Sequence, residues 1–325
     1  MSKKPKITDV NKFFFIFVIL YLFFQIILAL AVNLLSLYGQ HYVSNFYKRN
    51  FYMITLISEY GIILLPALVF VYVKKLPFRE VFKIKGLGFI PAVLIIVSAL
   101  PAYAVALMLN SIVLYMLQFF GSLPQNVIPV PQSFPEYLLG IFVIAVTPAI
   151  CEEMMHRGLF LDAYERRGSY RAVAITAFLF AIFHFDITNF IGPLFLGVLI
   201  GFYVVRTNSI FAGILAHFLN NSIALTIQYF TKNLYLPEQQ TVAISMKDLF
   251  AVILIGITGF IILAGMLTLF KSVTDNKAVI FSPISSVGRD IVSVISHWPI
   301  IIVLGIYLLM TVFTLLSIYI GGISY

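Results

Sequence analysis

Charge is scarce in this chain. Asp, Glu, Lys and Arg together make up 10% of its 325 residues, against about 25% in ordinary soluble chains. With 61% hydrophobic residues and a mean hydropathy of +1.03, little is left from which to build a water-facing domain. Cysteine is scarcer still. The single Cys151 excludes an intramolecular disulfide and a cysteine-based zinc cluster, and reads as a small apolar packing residue. Strand-period alternation is absent, which excludes a membrane β-barrel. The expected fold is all-α: a polytopic transmembrane helix bundle of about eight or nine spans.

What is present is a series of apolar runs, at about 13–38, 52–73, 88–120, 136–163, 170–185, 188–205, 209–230, 248–270 and 299–320. The fifth and sixth are short for a hydrocarbon core about 30 Å thick, so a tilted or partly sunk placement is expected. The first follows Lys3, Lys4, Lys6 and Lys12 and runs too far for a signal peptide, so it reads as an uncleaved span. Between 121 and 135 lie Pro124, Pro129, Pro131 and Pro135 with no basic residue, the pattern of an outside loop. Ser286 to His297 reads equally well as a short interfacial helix or a polar loop, with Trp298 as an anchor.

The formal charge of +8 has the sign that suits nucleic acid, but the basic residues fall between spans, as topology signals do; no nucleic-acid partner is expected. With the N-terminus in the cytoplasm, the inside segments hold the four N-terminal lysines, Lys74, Lys75, Arg79, Lys83, Lys85, Arg166, Arg167, Arg171, Arg206, Lys271, Lys277 and Arg289. The outside segments hold Lys48, Arg49, Lys232 and Lys247. That is sixteen against four, the bias of a multi-pass protein of a cytoplasmic (inner) membrane.

Against this background two adjacent carboxylates are conspicuous. Glu152 and Glu153 sit within Phe142–Phe160, where a charged side chain costs about 2.5–3.5 kcal/mol on the milder insertion scale. Helical spacing sets Glu153 against Arg157 and Glu152 against His156. One glutamate is then paired with the arginine, the other freer and a candidate general base; spacing does not say which. Glu152 lies about 24 Å along a span entering from outside, at 1.5 Å per residue. That depth is nearer the cytoplasmic leaflet, so water is expected from that side. His184 closes another apolar run, and His217 and Asn221 share a face of a third. Gly192, Gly197, Gly201 and Gly213 give those helices surfaces suited to close approach. Together these side chains read as one joint site.

Glu152-Glu153-x-x-x-Arg157, Phe180-x-x-x-His184 and His217-x-x-x-Asn221, with Pro148 upstream and Gly158 after the arginine, resemble the three motifs of the CPBP intramembrane proteases, also called the CAAX-protease and bacteriocin-processing or Abi family. The resemblance covers roughly residues 136–225. It implies an organisation into N-terminal helices (1–135), a catalytic helical core (136–230) and C-terminal helices (231–325). It implies hydrolysis of a peptide bond in a membrane-embedded or membrane-associated peptide or protein. Glu152 and Glu153 would supply the base and its support, and Arg157 would orient them. His184 would hold or activate water, while His217 and Asn221 would bind metal or stabilise the oxyanion. Zinc on His184, His217 and Glu153 is one form of the chemistry; a metal-free glutamate mechanism is the other. No His-Glu-x-x-His helix occurs. His156 departs from the usual apolar or aromatic residue before the arginine and is expected to be a bystander at the cytoplasmic rim. Two other functions use the same residues: a proton-coupled transporter, or a catalytically silent membrane scaffold or immunity protein.

Overall fold

The computed structural model describes residues 4–37, 40–123, 128–232, 243–276 and 278–323. Lys3, Lys277 and Pro124 therefore lie outside the described residues. Among those described there is no strand. Helix α1 (Ile7–Ser36) is followed by α2 (Gln40–Leu56), which passes through a π-helical segment, Ile57–Leu64, into α3 (Leu65–Val73). After the short α4 (Phe78–Val81) comes α5 (Phe89–Leu117). A composite helix then runs from α6 (Phe134–Gly140) through a π segment (Ile141–Val146), α7 (Thr147–Glu153) and a second π segment (Met154–Phe160) into α8 (Leu161–Tyr164). The remaining helices are α9 (Ser169–Phe183), α10 (Ile191–Thr207), α11 (Ile210–Thr231), α12 (Met246–Thr274), α13 (Val287–Ile295) and α14 (Trp298–Ile323).

All nine expected apolar runs are helical. Seven of these stretches are long and apolar enough to cross a membrane, and two, Ser169–Phe183 and Ile191–Thr207, are shorter. The chain is a multi-pass helical membrane protein. The 286–297 segment resolves as α13, with the Ser286 side chain capping the Arg289 amide. Trp298 starts α14 and sets its ring edge against Phe15, 5.2 Å between centroids.

Aromatic side chains join the elements around the composite helix. Phe13 and Phe14 of α1 meet Phe160 edge-on at 6.1 and 5.5 Å, and Phe17 stacks on Phe183 at 5.1 Å. On the other side Tyr203 of α10 meets Phe270 of α12 at 4.7 Å. Its hydroxyl pairs with Ser98 of α5 at 3.0 Å. The helices that carry the site are thus held from both sides.

The two ends of the bundle differ in charge. At one, Lys83 meets Glu165 at 2.9 Å, Lys4 meets Asp162 at 3.1 Å, Arg206 meets Asp275 at 2.5 Å and Arg167 meets Asp290 at 2.6 Å. Asp290 also accepts from Arg171 and Ser285. Burial pushes the Asp290 carboxyl up, but the bonds from Ser285, Arg167 and Arg171 outweigh it and hold its pKa down at about 2. At the other end the links are mostly neutral: Gln118 to the Ile244 carbonyl at 3.0 Å, Asn110 to Asn189 at 3.0 Å, and Lys232 to the Gln132 carbonyl at 2.7 Å.

Candidate active site

The glutamate pair divides its work. Glu153 is fully enclosed, and its Oε1 accepts from Arg157 Nη1 and from His217 Nδ1, both at 2.9 Å. Arg157, also fully buried, gives Nη2 to the Gly197 carbonyl at 3.2 Å and lays its guanidinium 4.4 Å from the centre of the Phe180 ring. A buried arginine needs such a set: a carboxylate, a carbonyl and an aromatic face. The expected Glu153–Arg157 pair is present.

Glu152 points elsewhere. Its Oε2 lies 4.0 Å from His217 Nε2, and the side chain lines a cavity of about 550 Å³. Because Glu153 takes the Nδ1 proton of His217, the Nε2 lone pair is turned toward Glu152. The expected facing of Glu152 and His156 is not what forms. His156 Nδ1 donates to the Glu152 backbone carbonyl at 3.0 Å, and the Glu152 carboxyl turns away. Nor does His156 stand at a rim. It is wholly buried, edge-on to Phe160, Phe180 and Phe183 at 5.0–5.3 Å. An imidazole held by a carbonyl and three ring edges is a packing residue.

His184 caps the C-terminus of α9, where Phe185 turns into the left-handed region (φ 50°) and ends the helix. Its Nδ1 donates to the Phe180 carbonyl at 2.9 Å, leaving Nε2 for the cavity that it lines with Glu152, His217 and Asn221. Asn221 gives one amide hydrogen to the Ile144 carbonyl at 3.1 Å and has a second to offer. Phe180 is the shared wall: His184 and His217 meet its ring at 5.0 and 5.9 Å.

Two glycines make this convergence possible. A Cβ at Gly197 would stand 2.9 Å from the Ala177 Cα, so α10 and α9 touch backbone to backbone. A Cβ at Gly213 would stand 2.9 Å from Glu153 Oε2, so only glycine lets α11 pass the buried carboxylate.

The sequence reading missed Glu59. It lies in the π segment between α2 and α3, buried, and its carboxyl is within hydrogen-bond reach of Glu152. Taken as ionised, Glu59 Oε2 and Glu152 Oε2 have no donor among the described residues. A proton held between the two carboxyls satisfies both. The signal was available: a lone Glu in an apolar span raises the same question as Glu152.

The cavity also corrects the expected water route. Its lining runs from Glu152 out to Asn110, Ile128, Asn189 and Gln228, which belong to the end away from the Lys4 and Lys83 ion pairs. Toward the lysine-rich end, Leu159, Phe160 and Tyr164 are fully buried, and Phe82 fills the space beside Gly158.

The expected zinc set does not form a preassembled cage. Glu153 already accepts from two cationic or imidazole donors, and among the described residues no three His, Cys, Asp or Glu side chains are grouped as metal ligands.

Residues 134–223 match the family model described as type II CAAX prenyl endopeptidase Rce1-like. A Bacillus subtilis (strain 168) protein named "Putative membrane peptidase YdiL" is 29% identical over 118 residues, 36% of this chain and 47% of that protein. The chain thus spans about half the length of the curated relative it matches. No solved structure matches it. Residues 134–223, which carry the three motifs brought together by four helical segments, are thus similar to this family of membrane endopeptidases.

Proposed function

We propose that this chain is an intramembrane endopeptidase that hydrolyses a peptide bond in a membrane-embedded or membrane-associated protein or peptide. It would work in a cytoplasmic membrane with its N-terminus in the cytoplasm. The observation that carries the reading is the placement of Glu152 Oε2 4.0 Å from His217 Nε2, inside a cavity and behind a fixed Arg157–Glu153–His217 relay. A water hydrogen-bonded to both atoms at about 2.8 Å would subtend an angle of about 90°, compatible with water's bonding directions.

The steps follow from these positions. Glu152 takes a proton from the water, and the oxygen attacks the scissile carbonyl carbon. Negative charge gathers on the carbonyl oxygen, where the remaining Asn221 amide hydrogen can donate, with His184 beside it. The C–N bond breaks as Glu152 returns its proton to the leaving nitrogen, giving a carboxylic acid and a free amine, and the acid proton then passes to the amine to leave a carboxylate and an ammonium. Glu153, held by Arg157, fixes the tautomer and orientation of His217. Glu59 steadies Glu152 by sharing its proton before the base is engaged. No step is assigned to a metal, because the donors do not converge as a cage.

The test is purified protein in lipid nanodiscs, incubated with a mixture of capped apolar peptides, with new termini read by mass spectrometry. Cleavage should be lost in Glu152→Gln and persist in the presence of a zinc chelator. Cleavage unchanged in Glu152→Gln rejects the reading. Chelator-sensitive cleavage rejects its metal-free form.

A further inference from the structure

The cavity is one-sided in both charge and direction. Its described lining holds no Lys or Arg, and no carboxylate besides Glu152. Apart from the two histidines and Tyr103, its polar groups are neutral amides: Asn110, Asn189, Asn220, Asn221 and Gln228. Amides donate and accept, which complements a peptide backbone, and they supply no counter-ion. A free carboxylate placed there would meet Glu152 and, among the described lining residues, no cation, the juxtaposition that recognition sites for chain termini avoid. A free ammonium would find only the carboxylate needed for chemistry.

The direction is set by two independent features. The outer lining residues belong to the last turns of α5 and α11, to the α9–α10 connection and to the segment before α6. These form the end where Lys232 meets Gln132 and Asn110 meets Asn189. The opposite way is closed by buried Phe160 and Tyr164 and then by the ion pairs of Asp162 and Glu165. The Lys and Arg bias assigns that closed end to the cytoplasm.

We propose that the cavity admits an uncharged internal peptide segment from the side of the membrane away from the cytoplasm, and excludes a chain terminus. The fate of the segment rests on the peptidase reading above; the side of entry and the charge selection do not depend on catalysis.

Substituted-cysteine labelling tests this with the full chain. Native Cys151 is buried and provides the unlabelled background. Asn220→Cys places a thiol in the cavity, and Lys85→Cys one at the closed, lysine-rich end. In intact cells a membrane-impermeant maleimide should react with Asn220→Cys and spare Lys85→Cys until the cells are lysed. In purified protein, acetyl-Leu-Ala-Ile-Ala-amide should slow labelling of Asn220→Cys about tenfold more than the same peptide with a free carboxylate, the effect expected of a like charge without a counter-ion. Gln228→Cys, near the mouth, gives the same readout should Asn220→Cys not fold. Labelling of the cavity thiol only after lysis overturns the proposal. So does equal protection by the two peptides, or protection by neither. Glu152→Gln should keep the side of labelling and lose the preference between the two peptides, and a native protein that shows both without hydrolysis rejects the peptidase reading alone.

Discussion

In the Phe134–Arg167 span, half of the most apolar window is buried inside the bundle; in the Trp298–Gly321 span the share is 17%. Both are hydrophobic enough to cross a bilayer, yet they meet different surroundings. Leu308, Leu309, Val312 and Phe313 of α14 face outward, where lipid is as good a neighbour as another leucine. The composite helix instead buries Glu152, Glu153, His156, Arg157 and Asp162. Glu152, Glu153 and Arg157 meet polar partners from other helices, His156 bonds a carbonyl of its own helix, and Asp162 meets Lys4. The buried polar contacts of this span are thus set within an apolar core, while the peripheral span turns much of its surface outward.

Breaking the contrast should have its largest effect on stability at Arg157. Arg157→Ala leaves Glu153 buried with one donor fewer, and removing one partner of a buried pair costs about 3–5 kcal/mol. Leu308→Ala on the lipid face should change stability by no more than about 0.5 kcal/mol. Denaturation of both variants in lipid nanodiscs checks the difference. Equal losses would mean that the core relay is not what holds the site helix.

A smaller loss is expected at the approach of α11 to the composite helix. In Gly213→Val the new side chain meets Glu153 Oε2 and Val204, contacts of 2.9 Å already at Cβ. Overpacking of this kind costs about 1–3 kcal/mol. Peptide cleavage should fall with it, because His217 moves with α11.

Glu59 sharpens the comparison from within the interior. Glu59→Gln keeps the shape and supplies a permanent amide donor to Glu152, in place of a proton that can leave. The fold should stay intact while cleavage falls roughly tenfold, at the low end of what positioned acid–base groups contribute, and its pH profile shifts. A variant with native rate and pH profile would confine Glu59 to a structural role.

The smallest effect belongs to the lysine-rich surface. The Asp290 pKa is held down at about 2, below the ~3.9 of an unfolded aspartate. Its stabilisation is therefore present above about pH 4 and lost as pH falls through about 2. Asp290→Asn should be less stable than the native chain near neutral pH and equal to it at the acid limit. A constant difference across that range would remove the carboxylate from the account.

The spans, the motif positions and the Glu153–Arg157 pair were legible because each depends on local spacing: apolar runs of membrane length, and an i, i+4 step that forms even beside a π segment. Three features were not. His156 was assigned a partner by the same spacing rule, but the backbone carbonyl of Glu152 competed for its Nδ1 and won. The π segments at Ile57–Leu64, Ile141–Val146 and Met154–Phe160 leave no mark in hydrophobic periodicity, yet they reset which face each side chain presents. Glu59 carried a readable signal, an acid in an apolar run, but its meeting with Glu152 is a contact between distant spans. The direction of the cavity likewise belongs to the assembled bundle, since depth along one helix says nothing of which end its neighbours close.

In the proposed reaction Glu152, set against His217 by the buried Glu153–Arg157 pair, activates water for peptide cleavage in the membrane. Quantitative proteomics of the native membrane, wild type against Glu152→Gln at matched expression, tests it most directly. At least one uncut precursor should accumulate in the variant, with loss of its matching cleaved termini. Identical precursor and product levels in the two membranes would contradict it.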